Sequence, residues 1–178
     1  LSTAIIIISS IYWLINNTIA KTNKTFFKFT SNNIPFLFLI FLIFLQIIMG
    51  ALVSGLDAGK IYQTWPLMGS NYLPNDLYLN KLNNYFEFDN HSLVQFYHRN
   101  LAYFIVLYFI VLNLYIFKRK IYFLYNSIKI ITLVLLLQVG LGIFTLISGL
   151  NIYLASMHQI TSVLLILSAL NLYFLRAK

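Results

Sequence analysis

Two histidines in this chain lie where titratable groups are costly: His98 in QFYHRN and His158 in MHQI, both inside strongly apolar sequence. An imidazole so placed suits ligation of a metal, or a hydrogen bond between helices. Arg99 follows His98 directly, so on a helix it points about 100° away from the ring. Gln95 lies one turn before His98, on roughly the same face. It is neutral, and so a poor general acid or base. The chain has no cysteine, which removes thiolate-bound zinc, iron–sulfur clusters and disulfides from consideration.

The elements that must position these groups are membrane spans. Of 178 residues, 60% are hydrophobic and 9% charged, against roughly a quarter charged in a soluble domain. A bilayer-crossing helix needs about 20 mostly apolar residues. Five runs qualify: 1–20, 34–56, 92–117, 126–148 and 152–175. The expected fold class is all-α and polytopic, a transmembrane four-helix bundle over residues 34–175 with one helix before it and a long loop over 57–91. The chain begins at Leu1, already inside an apolar run, and reads as a fragment or a processed chain whose first span is clipped. That run lacks the basic start and small-residue cleavage pattern of a signal peptide.

Charge sets the expected orientation. Lys21, Lys24 and Lys28 separate the first two spans; Lys118, Arg119, Lys120 and Lys129 mark the third connection; Arg176 and Lys178 end the chain. All four acids, Asp57, Asp76, Glu87 and Asp89, fall in the long loop beside Lys60 and Lys81. Cationic loops stay on the cytoplasmic or matrix side. The N-terminus and the long loop are therefore expected outside, and the C-terminus inside. The net charge of +8 then follows from topology. A nucleic-acid surface would need basic and aromatic residues interleaved on a soluble face, and none is expected.

Counted from the outer side, each histidine lies about six residues into its span, or ~9 Å at 1.5 Å per residue. Two readings stay open at this point. The histidines make unrelated hydrogen bonds between helices, or they are the two axial ligands of one haem iron. Ala102 lies one turn from His98, and Ala155 and Ser162 one turn from His158, which leaves room for a flat ring. Zinc or copper would lack a third and fourth ligand at that depth. Arg99 either pairs with a haem propionate or snorkels towards water and lipid phosphate. His91, just outside the third span, is read as solvated in preference to a cap or an approach to the site.

The stretch MGALVSGLDAGKIYQTWPLMGS reads as a helix exit. Ala51 and Gly55 form a small-xxx-small pair expected to permit close helix packing. Asp57, Gly59 and Pro66 end the helix and start an ordered turn, and Tyr62 and Trp65 suit the interface. A lid folding back over an outer-side site is the alternative. In the fourth span, Gly140 and Gly142 allow close approach of a neighbouring helix, the preferred reading, or of a ligand.

The stretches GALVSGLDAGKIYQTWPLM, QFYHRNLAY, LQVGLGIFTLIS and ASMHQITSVLL occur in this order on successive spans. Together they resemble the C-terminal half of the heme A synthase family, of the alphaproteobacterial and mitochondrial type. The resemblance implies an eight-helix protein of two similar four-helix halves, with residues 1–20 as its fourth span. It implies oxidation of a methyl group of haem O to the formyl group of haem A, for cytochrome c oxidase, with oxygen drawn from water. Each half carries a histidine pair, the N-terminal one for the substrate haem and the C-terminal one for a haem b that passes electrons. Carried over, His98 and His158 become the metal ligands of haem b, in bis-histidine axial ligation, with Arg99 beside them as a cofactor-binding residue. The family's proposed catalytic glutamate, in its N-terminal half, corresponds to Gln95 here. No catalytic residue is therefore nominated in this chain, and alone it is expected to be inactive. The implied partners are haem O through the other half, the lipid bilayer, and haem O synthase or further copies of the chain. The implied location is the bacterial inner membrane, or alternatively the mitochondrial one.

Two other functions share part of this pattern. Another membrane b-type cytochrome, such as a quinol-linked carrier, would use the same histidines but commonly needs a second haem, which three histidines do not ligate. A non-haem transporter or scaffold would show broken helices and polar groups near the midplane, where these spans are apolar.

Overall fold

A computed structural model describes residues 2–77 and 82–177. The apolar runs form five helices: α1 (Ser2–Ile19), α2 (Ile34–Gly55), α3 (His91–Lys118), α4 (Tyr125–Ile147) and α5 (Ile152–Arg176). Each is long and apolar enough to cross a membrane. Among the described residues the only β pairing is an isolated bridge between Met68 and Asn71. The chain is thus all-α and polytopic, with every helix end within one residue of the sequence expectation. Leu1, Lys81 and Lys178, used in reading the spans and their charges, lie outside the described residues.

Local chemistry fixes the helix starts. Pro35 stands in the first turn of α2, where its missing N–H costs nothing. The Asn90 side chain accepts the Leu93 N–H at 3.1 Å and caps α3. Asn151 accepts the Tyr153 and Leu154 N–H groups at 3.0 and 3.4 Å and caps α5. The two histidine-bearing helices therefore share one kind of cap. His98 and His158 follow their caps by eight and seven residues, or roughly 10–12 Å of helix. Between α4 and α5, Gly149 (φ 72°) and Leu150 (φ 64°) adopt left-handed backbone. Such a stop reverses the chain within a few residues.

Helix α2 packs on α3 and α5, and α4 packs chiefly on α5. The four helices thus form a ring in the order α3, α2, α5, α4, which puts α3 and α5 on a diagonal. Helix α1 lies outside this ring against α5 and α2, with Trp13 stacked on Tyr173 at 5.4 Å and edge-on to Phe174 at 5.2 Å. The core is confined to the lysine-bearing end of the bundle. It is built from Leu42, Ile43 and Ile47, then Ile105, Phe109 and Ile116, Ile131 and Leu135, and Leu165, Ala169 and Leu172. Towards the other end no residue is buried over 50–57, 96–104, 136–147 or 152–164. Burial resumes beyond that layer, at Ala58, Leu93, Val94 and Gln95, where the long loop meets the start of α3.

The loop is held there by a carboxylate. Asp76 accepts the Tyr62 hydroxyl at 2.6 Å and the Ser92 hydroxyl at 2.5 Å. Desolvation pushes the Asp76 carboxyl up, but the Ser92 and Tyr62 hydroxyls outweigh it and hold the group below the usual carboxylate value. A depressed folded-state pKa gives stability that is present above the unfolded value and lost as pH falls through the folded one. Loop docking should therefore weaken as pH drops below about 4. Hydrogen exchange over 58–77, corrected for intrinsic rates, should accelerate there. Asp76→Asn should flatten the dependence; an unchanged profile in the variant would refute this role for Asp76.

Candidate functional site

The unburied layer contains both histidines, brought across the bundle from the diagonal helices α3 and α5. Both residues are half-buried. Each ring rests on a glycine of the next helix. A Cβ on Gly50 of α2 would stand 3.3 Å from His98 Nε2, and one on Gly142 of α4 would stand 3.0 Å from His158 Cε1. One turn before each glycine, on the same face, is a glutamine: Gln46 and Gln138.

These glutamines act differently. Gln46 Nε2 donates to the backbone oxygen of His98 at 3.0 Å. The Gln138 backbone oxygen lies 3.0 Å from His158 Nδ1. That bond needs a proton on Nδ1, so Nε2 carries the lone pair, the tautomer a ligating imidazole requires. Gln138 Nε2 lies 3.5 Å from His158 Nε2, and the Thr161 hydroxyl donates to Gln138 Oε1. His158 is therefore anchored through its ring, and His98 through its backbone.

This asymmetry predicts unequal glycine variants. An added Cβ on Gly142 meets a ring held in place, whereas one on Gly50 meets a ring that can turn away. Alanine also favours helix over glycine by ~1 kcal/mol. Gly142→Ala should cost about 1–3 kcal/mol, while Gly50→Ala should be close to neutral. Thermal melting of the two purified variants reads the difference, and equal costs would refute the asymmetry.

Above the histidines runs a strap formed by the start of the long loop. Arg99 donates through Nη2 to the Tyr62 and Thr64 carbonyls at 3.0 and 2.8 Å, and through Nη1 to the Leu67 carbonyl at 3.2 Å. Gln95 Nε2 donates to the same Tyr62 oxygen at 2.9 Å. The strap also reaches the α4–α5 turn, where a Cβ on Gly59 would stand 3.0 Å from the Leu150 side chain. Residues 58–67 thus cross from that turn to α3. Arg99 does something neither of its sequence readings named: it holds the strap by its carbonyls. Its Nε is buried without a partner.

Several other expectations change. His91 keeps its solvated reading, since it is exposed, but it is the first residue of α3 and not part of the loop, and the cap is Asn90, one residue earlier. The Ala51–Gly55 pair makes no close packing at Gly55, where a Cβ would meet nothing within 4 Å, and the close approach falls on Gly50 instead. Of the two glycines in α4, Gly142 faces a histidine and Gly140 has open space. The roles of Gln46, Gln138, Thr161 and the Asp76 cluster were not read from sequence. The repeated Gln-x-x-x-Gly spacing at 46–50 and 138–142 was the signal for the first two.

The described residues hold no cluster of three or more histidines, cysteines or carboxylates able to bind a metal ion. Two imidazoles across a diagonal suit a metal whose other positions are filled by its own macrocycle. The glycine-backed rings and the layer that side chains leave unburied fit such a flat group.

Fold and site together define a class: a multi-pass integral membrane helical bundle with paired histidines on diagonal helices. Residues 1–170 match the model of the COX15-CtaA family, cytochrome oxidase assembly protein, and the chain belongs to that family. It is similar to the heme A synthase of Pelagibacter ubique, 42% identical over 178 residues, covering 98% of this chain and 49% of that protein. It is also similar to the heme A synthases of Wolbachia sp. subsp. Brugia malayi, 33% identical over 94% of this chain and 48% of that protein, and of Rickettsia felis, 35% identical over 75% and 39%. The chain spans about half the length of the first two relatives. No solved structure matches it. The five spans and the bacterial relatives make it an integral protein of the bacterial inner membrane.

Proposed function

We propose that this chain is the half of a heme A synthase that holds haem b, with His98 and His158 as its two axial ligands. The observation that carries the proposal is the layer between packed core and strap, in which two imidazoles from diagonal helices each lie on a glycine backbone. The relatives' shared name supports the reaction class. The whole protein would oxidise the methyl group of haem O to the formyl group of haem A, with its catalytic groups outside this chain. Haem b, when bound, supplies one-electron transfer.

The chain's own residues then have distinct tasks. Gln138 and Thr161 orient His158 and fix its tautomer. The strap limits water above the layer, and Arg99 and Gln95 hold the strap. Arg99 Nε is available to a propionate. In this reading the strap end faces outward and the lysine end faces the cytoplasm, which the charge distribution supports. Haem O synthase, or further copies of the chain, would be its protein partners.

The test is a reduced-minus-oxidised optical spectrum of the detergent-purified chain supplied with haem. A low-spin b-type spectrum is expected. A folded helical chain that takes up no haem, alone or joined to the rest of the protein, would sink the proposal and favour structural histidines. Haem uptake without haem O conversion by the full-length protein would instead point to another b-type cytochrome. Conversion of haem O by this chain alone would contradict the division of labour.

A further inference from the structure

We propose that Gln46 is the positioning residue for His98: its side-chain oxygen accepts the Nδ1–H of the His98 ring once that ring has turned its Nε2 into the layer. This inference rests on the haem reading above and names the group that sets one of the two ligands.

The two sides of the layer are alike in sequence and unlike in their hydrogen bonds. Gln46 and Gly50 face His98, and Gln138 and Gly142 face His158. On the α4–α5 side the groups are matched: His158 Nδ1 lies 3.0 Å from the Gln138 carbonyl, and Gln138 Oε1 accepts the Thr161 hydroxyl. On the α2–α3 side, Gln46 Nε2 donates to the His98 backbone oxygen at 3.0 Å, but Gln46 Oε1 is buried with no donor. Thr161 stands three residues after His158; the residue three after His98 is Leu101, which has no proton to give. Among the described residues the His98 ring makes no hydrogen bond of its own. A neutral imidazole always carries one N–H. One enclosed acceptor and one ring donor are therefore left over beside each other, and an enclosed amide oxygen without a donor is costly.

The rings also lie on their glycines by different edges. A Cβ on Gly142 would stand 3.0 Å from His158 Cε1 and 3.5 Å from its Nδ1, whereas one on Gly50 would stand 3.3 Å from His98 Nε2 and 3.7 Å from its Cδ2. His98 thus lays against α2 the nitrogen that would ligate. A half-turn about its Cβ–Cγ bond exchanges Cδ2 with Nδ1 and Nε2 with Cε1, which brings Nδ1 to the α2 side and frees Nε2. That torsion is broad and roughly two-fold, so the turn is cheap. Gln46 lies one turn of α2 from Gly50, ~5 Å along the axis. Its amide, already tied to the His98 backbone, is beside the turned ring. The new bond satisfies the buried oxygen, fixes the proton on Nδ1 and makes Nε2 a stronger ligand.

The test is a redox titration of the full chain supplied with haem, with Gln46→Leu and Gln46→Glu beside it. Without the acceptor the imidazole is a poorer ligand for ferric iron. Gln46→Leu should therefore raise the midpoint potential, by roughly a tenfold change in the ferric-to-ferrous ratio or about 59 mV, and lower haem retention roughly 10–100-fold. Gln46→Glu keeps an oxygen acceptor on a side chain of the same length and should not raise the potential. If Gln46→Leu does not fold by circular dichroism, Gln46→Met replaces it. An unchanged potential in Gln46→Leu with haem bound would give the Nδ1 bond to another acceptor and overturn the role of Gln46. An equal rise in both variants would show a packing effect and overturn it too; both outcomes leave the haem reading standing. No haem uptake by the unmodified chain, alone or joined to the rest of the protein, would overturn the haem reading and this inference with it.

Discussion

His158→Ala and, separately, His98→Ala should each abolish the low-spin haem spectrum while leaving the helical content intact. Losing a residue that merely supports a metal ligand commonly costs 10–100-fold in affinity, and losing a ligand costs more. Haem retention should fall by more than ~100-fold in either variant. The fold should survive because neither ring belongs to the packed core, which ends at Ile47, Ile105, Leu135 and Leu165, and because alanine is the best helix former. The Gln138 carbonyl, deprived of His158 Nδ1, keeps its place in the α4 ladder. A variant that is folded by circular dichroism and still shows an unchanged low-spin spectrum would remove that histidine from the ligand set. Should both variants bind normally, the histidines are structural and the cofactor reading of this layer fails.

The second large effect is expected from Arg99. Three carbonyls of the strap, at Tyr62, Thr64 and Leu67, converge on one guanidinium. Hydrogen bonds to a charged group contribute about 1.5–3 kcal/mol each when shielded, but two of these three are exposed, so the sum must be discounted. Arg99→Ala should weaken strap docking by about 3 kcal/mol, roughly a hundredfold in its opening equilibrium. Hydrogen exchange and limited proteolysis over 58–67 should rise accordingly, with α5 unchanged. Arg99→Lys should recover less than half, because an ammonium has no planar fork to span several carbonyls. Unchanged exchange over 58–67 in Arg99→Ala would show that the strap is held by its other contacts. A shift in the haem spectrum without loosening would return Arg99 to a propionate partner.

The spans were legible because a bilayer admits few solutions. Backbone polar groups must be satisfied within each segment, so an apolar run of sufficient length is already a helix, and both ends of all five helices fell within one residue. The shared depth of His98 and His158 was legible for a related reason, since both helices start at an asparagine whose side chain caps the first turn. His91 is exposed, as its solvated reading expects, and it heads α3 one residue ahead of the expected span because helix boundaries are uncertain by a residue. The Ala51–Gly55 pair misled because small residues permit an approach without causing it; packing direction chose Gly50.

By itself the sequence determined the class, the spans, the charge asymmetry and the shared depth of the two imidazoles, because each depends on local composition and on the fixed rise of a helix. Only the tertiary structure decided what those side chains meet. Which helices share a diagonal follows from how four similar apolar surfaces pack, and no periodicity specifies that. So it was the packing that set His98 on Gly50, tied the His158 ring to Gln138, left the layer between core and strap unburied, and turned Arg99 to the carbonyls of a loop more than thirty residues earlier in the chain.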